Sequence, residues 1–201
     1  TNLPPVMKYI LREITPLAKD SLFFATYYGD NQMDFPIHFH EDFELNLTLN
    51  VHGQRIIGNM VEEFGNNDLV LMGPNVLHCY KRDNELADIK CDVFVVQFGK
   101  EMHHSPIFNT DQLKPIRKLL DRCITGIKFS DETAVKLREK LFNLISATGF
   151  MRISLFFGIL YELAERPGQT VLQTVTKGGS LPEPTHSRRI NRIIRFVEIN
   201  Y

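Results

Sequence analysis

Between Phe43 and Val51 apolar and polar residues alternate without exception. Phe43, Leu45, Leu47, Leu49 and Val51 take the odd positions, and Glu44, Asn46, Thr48 and Asn50 the even ones. A period of two sustained over this length predicts a strand with one apolar and one polar face. Other runs of strand character, Leu22–Tyr28, Arg55–Glu62, Asp68–Met72 and Cys91–Phe98, are set apart by Gly29-Asp30, Gly53, Gly65-Asn66-Asn67 and Gly73-Pro74. Residues of these types supply turn geometry, so the pattern predicts an antiparallel barrel or sandwich over residues 21–98.

After Ser105-Pro106 the period becomes helical, with segments expected over Asp111–Cys123, Ser130–Ala147 and Arg152–Arg166. Ser130 is the expected N-cap of the second, with Leu137, Leu141 and Leu144 at helical spacing. In the third, Ile153, Phe156, Phe157, Leu160, Leu163 and Ala164 share one face, and Pro167-Gly168 stops the helix. That stripe is first a core face against the barrel or a neighbouring helix, and it is broad enough for part of it to meet a second copy. Residues 167–186, with Gly178-Gly179, Pro182 and Pro184, read as a linker. Ser187 then caps an amphipathic segment reaching Tyr201. Ile190, Ile193, Ile194 and Val197 lie on one side of it and Arg188, Arg189, Arg192 and Arg195 on the others. Four arginines on one helix are ordinarily a solvated face; with its apolar stripe uncovered, this helix is expected to open a further domain.

Composition sharpens the division. Residues 1–110 hold 8 Lys/Arg against 15 Asp/Glu, whereas residues 111–201 hold 15 against 9. An acidic first half is a poor surface for a phosphate backbone, so any nucleic-acid role is expected in the second. At 43% apolar residues the chain can bury a sizeable core. Its most apolar window, Ile153–Leu163, is far shorter than the roughly 20 residues of a membrane helix, so no membrane span is expected. The first residues, Thr1-Asn2-Leu3-Pro4-Pro5, lack the basic stretch and apolar run of a secretory signal, and a cytoplasmic location is expected. Cys79, Cys91 and Cys123 show no CxxC spacing and indicate neither a disulfide framework nor a cysteine metal site.

The candidate chemistry lies just before and within the alternating strand. His38, His40 and Glu44 share the parity of its polar face, which Asn46 and Thr48 continue. Two imidazoles two residues apart and a carboxylate beyond them can converge on a divalent metal, with His78 as the fourth ligand from an adjacent strand about 4.8 Å away. The same residues also serve as polar groups of a metal-free pocket, and this is the preferred reading, with no cofactor required. Asn46, Thr48 and Asn50 would line such a pocket with hydrogen-bonding groups suited to a hydroxylated ligand, or face solvent if the barrel is open there.

His38-x-His40-x3-Glu44 followed by Gly53 resembles the first motif of the cupin family, and Gly65 through Pro74 to His78 resembles the second. Gly53 comes later than in the family pattern, Asn75 and Val76 follow Pro74 where a glycine is usual, and no asparagine follows His78 at the usual spacing. Such relaxed motifs resemble the sensing domains of the AraC family of bacterial transcription regulators. The stretch Gly65–His78, Gly126-Ile127-Lys128-Phe129 between two helices, and Ser187–Tyr201 as the start of a helix-turn-helix domain are similar to that family as well. The resemblance implies a mainly β fold with α-helices: a cupin-like double-stranded β-helix, or jelly-roll barrel, over 1–105, followed by a helical dimerisation segment over 106–166. A linker over 167–186 and the first helix of a truncated DNA-binding domain over 187–201 complete it. It further implies a small polar effector, a sugar among the candidates, a homodimer, DNA bound through a domain beyond this chain, and no enzymatic activity. The competing expectation is a metal-dependent cupin enzyme, a dioxygenase or sugar isomerase, using His38, His40, Glu44 and His78.

Overall fold

The computed structural model describes residues 10–29, 35–58, 60–83 and 90–172. Residues 173–186 of the expected linker and the Ser187–Tyr201 segment lie outside the described residues. Strands are β1 (Leu11–Arg12), β2 (Phe23–Gly29), β3 (His38–Phe39), β4 (Phe43–Leu49), β5 (Gly53–Ile57), β6 (Met60–Phe64), β7 (Asn67–Met72), β8 (His78–Arg82), β9 (Asp92–Phe98), β10 (Ile127–Lys128) and β11 (Thr170–Val171). Helices are α1 (Lys114–Arg122), α2 (Asp131–Ser146) and α3 (Gly149–Glu165).

The strands form two sheets, ordered β1-β3-β8-β5-β6 and β11-β10-β7-β4-β9-β2. Every pairing is antiparallel except β1 with β3. Of the two architectures left open by the sequence, the described residues adopt two separate sheets; no ladder closes them into a single barrel. Glycine matters at the hairpin between β5 and β6. The sequence predicts one strand over Arg55–Glu62, but the chain reverses at Gly58, whose φ of 60° is a conformation that side chains disfavour. Arg55 and Glu62, the expected ends of one strand, therefore become cross-strand neighbours. At Gly53 a Cβ would come within 2.1 Å of the Lys81 carbonyl oxygen, so the close approach of β5 to β8 requires glycine.

β4 is buried on both faces along its whole length, although three of its seven residues are polar. The physical reason is that its two faces meet different interiors. Leu45, Leu47 and Leu49 point to the helical layer, where they join Leu119 of α1, Leu141 of α2 and Phe156 of α3 in one continuous core. Phe23 of β2 stacks on Phe156 with ring centroids 4.3 Å apart. The helices thus cover the outer face of the larger sheet, and β10, which precedes α2, adds to that sheet beside β7. The α3 residues Phe156, Leu160 and Leu163 are used up by this core, while Phe150 and Met151 at its start remain exposed. Ser130 caps α2 as its position predicts, its Oγ accepting from the Thr133 amide at 3.3 Å. α1 begins at Lys114 rather than Asp111, with Pro115 in the first turn, where a missing N–H costs no intrahelical bond. α3 begins earlier than its apolar stripe indicates, at Gly149.

A buried ion pair ties the sheets together. Arg55 of β5 donates from Nη1 to Asp68 of β7 at 2.8 Å and from Nη2 to Glu62 at 3.0 Å. Among the described residues, no helix is long and apolar enough to cross a membrane.

Candidate functional site

The inward face of β4 borders a cavity of about 460 Å³ between the sheets. Register sets its polar end. His38 of β3 lies directly opposite His78 of β8 in the smaller sheet, and Glu44 of β4 lies opposite Gln97 of β9 in the larger. Because the two sheets face each other, these pairs meet across the interior. His40, in the link between β3 and β4, is buried behind them and bonds Glu44 Oε2 through Nε2 at 2.9 Å. The left-handed φ of 61° at Asn75 lets its amide donate to the His40 carbonyl at 2.7 Å, fixing that link. Asn tolerates this conformation, which accounts for its presence where the family pattern has glycine.

Hydrogen bonding fixes the tautomer of the imidazoles. Each Nδ1 faces a backbone carbonyl: Pro36 for His38 at 2.8 Å, Asp42 for His40 at 3.0 Å and Val76 for His78 at 2.8 Å. A carbonyl can only accept, so each Nδ1 carries a proton and each Nε2 is turned toward the cluster. His40 faces acceptors on both sides and is imidazolium in character; burial opposes this, but Glu44 outweighs it and raises the pKa. His38 is pushed down to about 4, chiefly by burial and then by His78, so its Nε2 is a bare lone pair. His78 Nε2 is buried without a hydrogen-bond partner, 3.7 Å from Glu44 Oε2. Glu44 is held well below the carboxylate range, burial being opposed and overcome by the surrounding imidazoles.

The donor set passes the test for a divalent metal. The ring nitrogens of His38, His40 and His78 lie within 4.8 Å of one another, and so do the ligand atoms of Glu13, His40 and Glu44. Each imidazole is oriented by an Nδ1–H bond to a carbonyl, the support that metal-binding histidines usually have. Either His38, His40 and His78 or Glu13, His40 and Glu44 would hold the ion, while the His40–Glu44 bond also gives the metal-free cluster an internally satisfied form.

Five of the six residues singled out from sequence, His38, Glu44, Asn46, Thr48 and His78, line the cavity, and His40 supports it from behind. Asn46 donates to Glu44 at 3.3 Å and accepts from Thr48 at 3.1 Å, which makes a connected polar row along β4. Asn50 is a correction. It adopts a left-handed φ of 63°, is exposed, and bonds Asp92 at 3.3 Å instead of continuing the pocket wall. Sequence reasoning missed Gln97, whose Nε2 bridges Glu44 at 3.1 Å and Glu13 at 3.3 Å. It also missed Glu13 itself, brought in by the N-terminal segment that runs beside β3 and whose amide donates to the Phe39 carbonyl at 2.9 Å. A lone polar residue in the apolar strand Val93–Phe98 was the available signal for Gln97; Glu13 has none. The remaining wall is apolar and aromatic, with Phe24, Val93 and Val95 inside and Tyr28 and Phe35 at an exposed mouth.

No protein-family model and no curated protein matches the chain. Among solved structures it is similar to an apo variant of ToxT from Vibrio cholerae, at 11% identity over 72% of this chain and 55% of that one, with a TM-score of 0.48. It is similar to wild-type ToxT with an unsaturated fatty acid bound, at 15% identity over 70% of this chain and 51% of that one, with a TM-score of 0.44. It is also similar to a cupin 2 conserved barrel domain protein from Rhodopseudomonas palustris, at 17% identity over 40% of this chain and 55% of that one, with a TM-score of 0.32. The aligned regions span little more than half the length of each of these proteins.

Proposed function

We propose that this chain is the small-molecule-sensing region of an AraC-type transcription regulator. One observation carries the reading: a cavity of about 460 Å³ between the two sheets, large enough for a small metabolite, with its polar groups gathered at one end and apolar walls around the rest. The larger sheet has this cavity on one face and the helical layer on the other, so β4 touches both through alternate side chains. Ligand contacts at Glu44, Asn46 and Thr48 would be felt across one strand by the packing of Leu45 and Leu47. In this reading residues 1–105 form the sensing unit and 106–166 the segment through which two copies pair. Residues 167–186 form the linker, and 187–201 lead into the DNA-binding domain. Phe150, Met151 and Tyr161 are exposed on α3 and open to a second copy, and sedimentation at tens of micromolar would then give a dimer.

The test is a thermal-shift screen of the chain with small molecules, run beside Val95→Phe, whose larger side chain occupies cavity space. A compound that stabilises the parent and not the variant supports the reading. A screen in which every stabilising compound acts equally on both would count against it.

A second reading, a metal-dependent cupin enzyme, is favoured by one specific observation: the Nε2 atoms of His40 and His78 are turned toward Glu44 and that of His38 toward Glu13, with the three imidazoles close enough to share an ion. A divalent metal held there would supply Lewis acidity toward a bound oxygen. Here the three imidazoles, or Glu13, His40 and Glu44, would be the ligands, Gln97 would orient Glu44, and the apolar walls would exclude water. Metal analysis of the purified chain together with turnover of a screened compound would establish this reading in place of the first.

A further inference from the structure

Two carboxylates, Glu13 and Glu44, line the cavity, and the Tyr80 hydroxyl in its wall is a buried donor without a partner. Glu13 Oε2 lies 3.4 Å from His38 Nε2, and Glu44 Oε2 lies 3.7 Å from His78 Nε2. Both imidazoles donate from Nδ1 to a backbone carbonyl, so in the neutral ring each Nε2 is an acceptor that faces a carboxylate. Gln97 divides its amide between the two carboxylates, and no lysine or arginine is found among the described lining residues. His78 Nε2, in a residue only 2% exposed, is left without any partner. A buried acceptor without a donor is costly, and a pocket arranged in this way is completed by a ligand that only donates.

We propose that the effector is an organic cation whose ammonium head donates to Glu13, Glu44 and the Nε2 atoms of His38 and His78, with an apolar body against Phe24, Tyr28, Val93 and Val95. This deepens the sensing reading and rests on it. An ammonium group carries three N–H donors and no acceptor, matching the unpartnered His78 Nε2 and the remaining acceptor capacity of Glu13 beyond its bond from Gln97. Phe35, whose ring centroid lies 4.6 Å from that of His38, adds an aromatic face beside the same cluster. A carboxylate head would instead meet two glutamates, and a hydroxyl would supply one donor where several are needed. The cavity also extends well beyond the four-residue cluster, which leaves room for an organic body that a bare ion would not use. Glu13 is the specificity-determining residue. It is the partly exposed carboxylate, brought in by the segment beside β3, whereas Glu44 is already paired with His40.

The test is calorimetric titration of the 201-residue chain with three compounds that share one aromatic body: benzylamine, protonated at neutral pH, benzyl alcohol and benzoate. Mn²⁺ alone is a fourth arm. The expected result is benzylammonium binding at least about ten-fold tighter than the alcohol, as loss of a charged hydrogen bond implies, with no benzoate binding. Glu13→Gln is expected to weaken the ammonium by about ten-fold and leave the alcohol unchanged. The charge series on the unaltered chain stands whether or not that variant folds. Alcohol or benzoate binding as tightly as the ammonium would overturn the charge preference and leave the pocket reading standing. Mn²⁺ binding with no ammonium binding would overturn the proposal in favour of a metal, and no binding in any arm would overturn the proposal while leaving the sensing reading to the thermal-shift screen.

Discussion

Replacing Arg55 by methionine removes a guanidinium that is 1% exposed and leaves the Asp68 carboxylate, 0% exposed, with Lys128 Nζ at 3.8 Å as its nearest cation among the described residues. Breaking a buried pair by deleting one partner costs about 3–5 kcal/mol, because the stranded charge keeps its desolvation penalty and loses its compensation. At a urea m-value of about 2 kcal/mol/M, this lowers the unfolding midpoint by roughly 2 M. The pH dependence has a definite sign. Burial raises the folded pKa of Asp68 above its ordinary 3.8 even beside Arg55, so the folded state holds its proton to higher pH than the unfolded chain does. Such a group costs nothing below 3.8 and destabilises progressively as pH rises through the folded value, so the Arg55→Met penalty should be largest near neutrality and shrink on acidification. Arg55→Met/Asp68→Leu, which removes both charges, should recover most of the loss. Urea unfolding followed by circular dichroism at several pH values reads all three quantities. A single-variant cost below about 1 kcal/mol, or one independent of pH, would refute the reasoning that this pair is a desolvated clamp between the sheets.

Leu47→Ala, at a residue 0% exposed between the sheet and the helices, should cost about 2–5 kcal/mol in the same unfolding assay, although it lies on the strand that lines the cavity. The His40–Glu44 pair should stabilise within a window. The His40 contribution is full below 6.5 and lost as pH rises through its raised folded value, while that of Glu44 is present above 4.5 and lost as pH falls toward its depressed one. Melting temperatures across pH should therefore flatten in Glu44→Gln. If the DNA-reading helices lie beyond Tyr201, fluorescence anisotropy should show that these 201 residues bind DNA without sequence preference. What weak affinity the arginines of 187–201 provide should disappear with added salt.

Much of this arrangement was legible in the chain. The alternation in β4 gives both its leucine face and its polar face, and the parity of positions 38, 40 and 44 places three site residues together because a strand maps parity onto side. The reach of His78 follows from antiparallel pairing, although the strand His78–Arg82 is itself too short and mixed to announce its period. The β5–β6 hairpin was missed because apolar Ile56, Ile57, Met60 and Val61 run across the Gly58-Asn59 turn signal, so hydrophobicity alone reads through the reversal. Glu13 was not legible at all. Its place depends on a parallel pairing of Leu11 with His38, a long-range contact with no local pattern behind it.

The central claim is that His38 and His78 spend their Nδ1 protons on backbone carbonyls and turn bare Nε2 atoms toward a ligand-accepting cavity. Long-range ¹H–¹⁵N correlation spectra of the chain labelled at histidine report the tautomer of each ring directly. When neutral, both rings are expected as the Nδ1–H tautomer, with the Nε2 shifts moving when a pocket ligand is added. Nε2–H tautomers at these two positions, unchanged by any compound that stabilises the protein, would contradict the account.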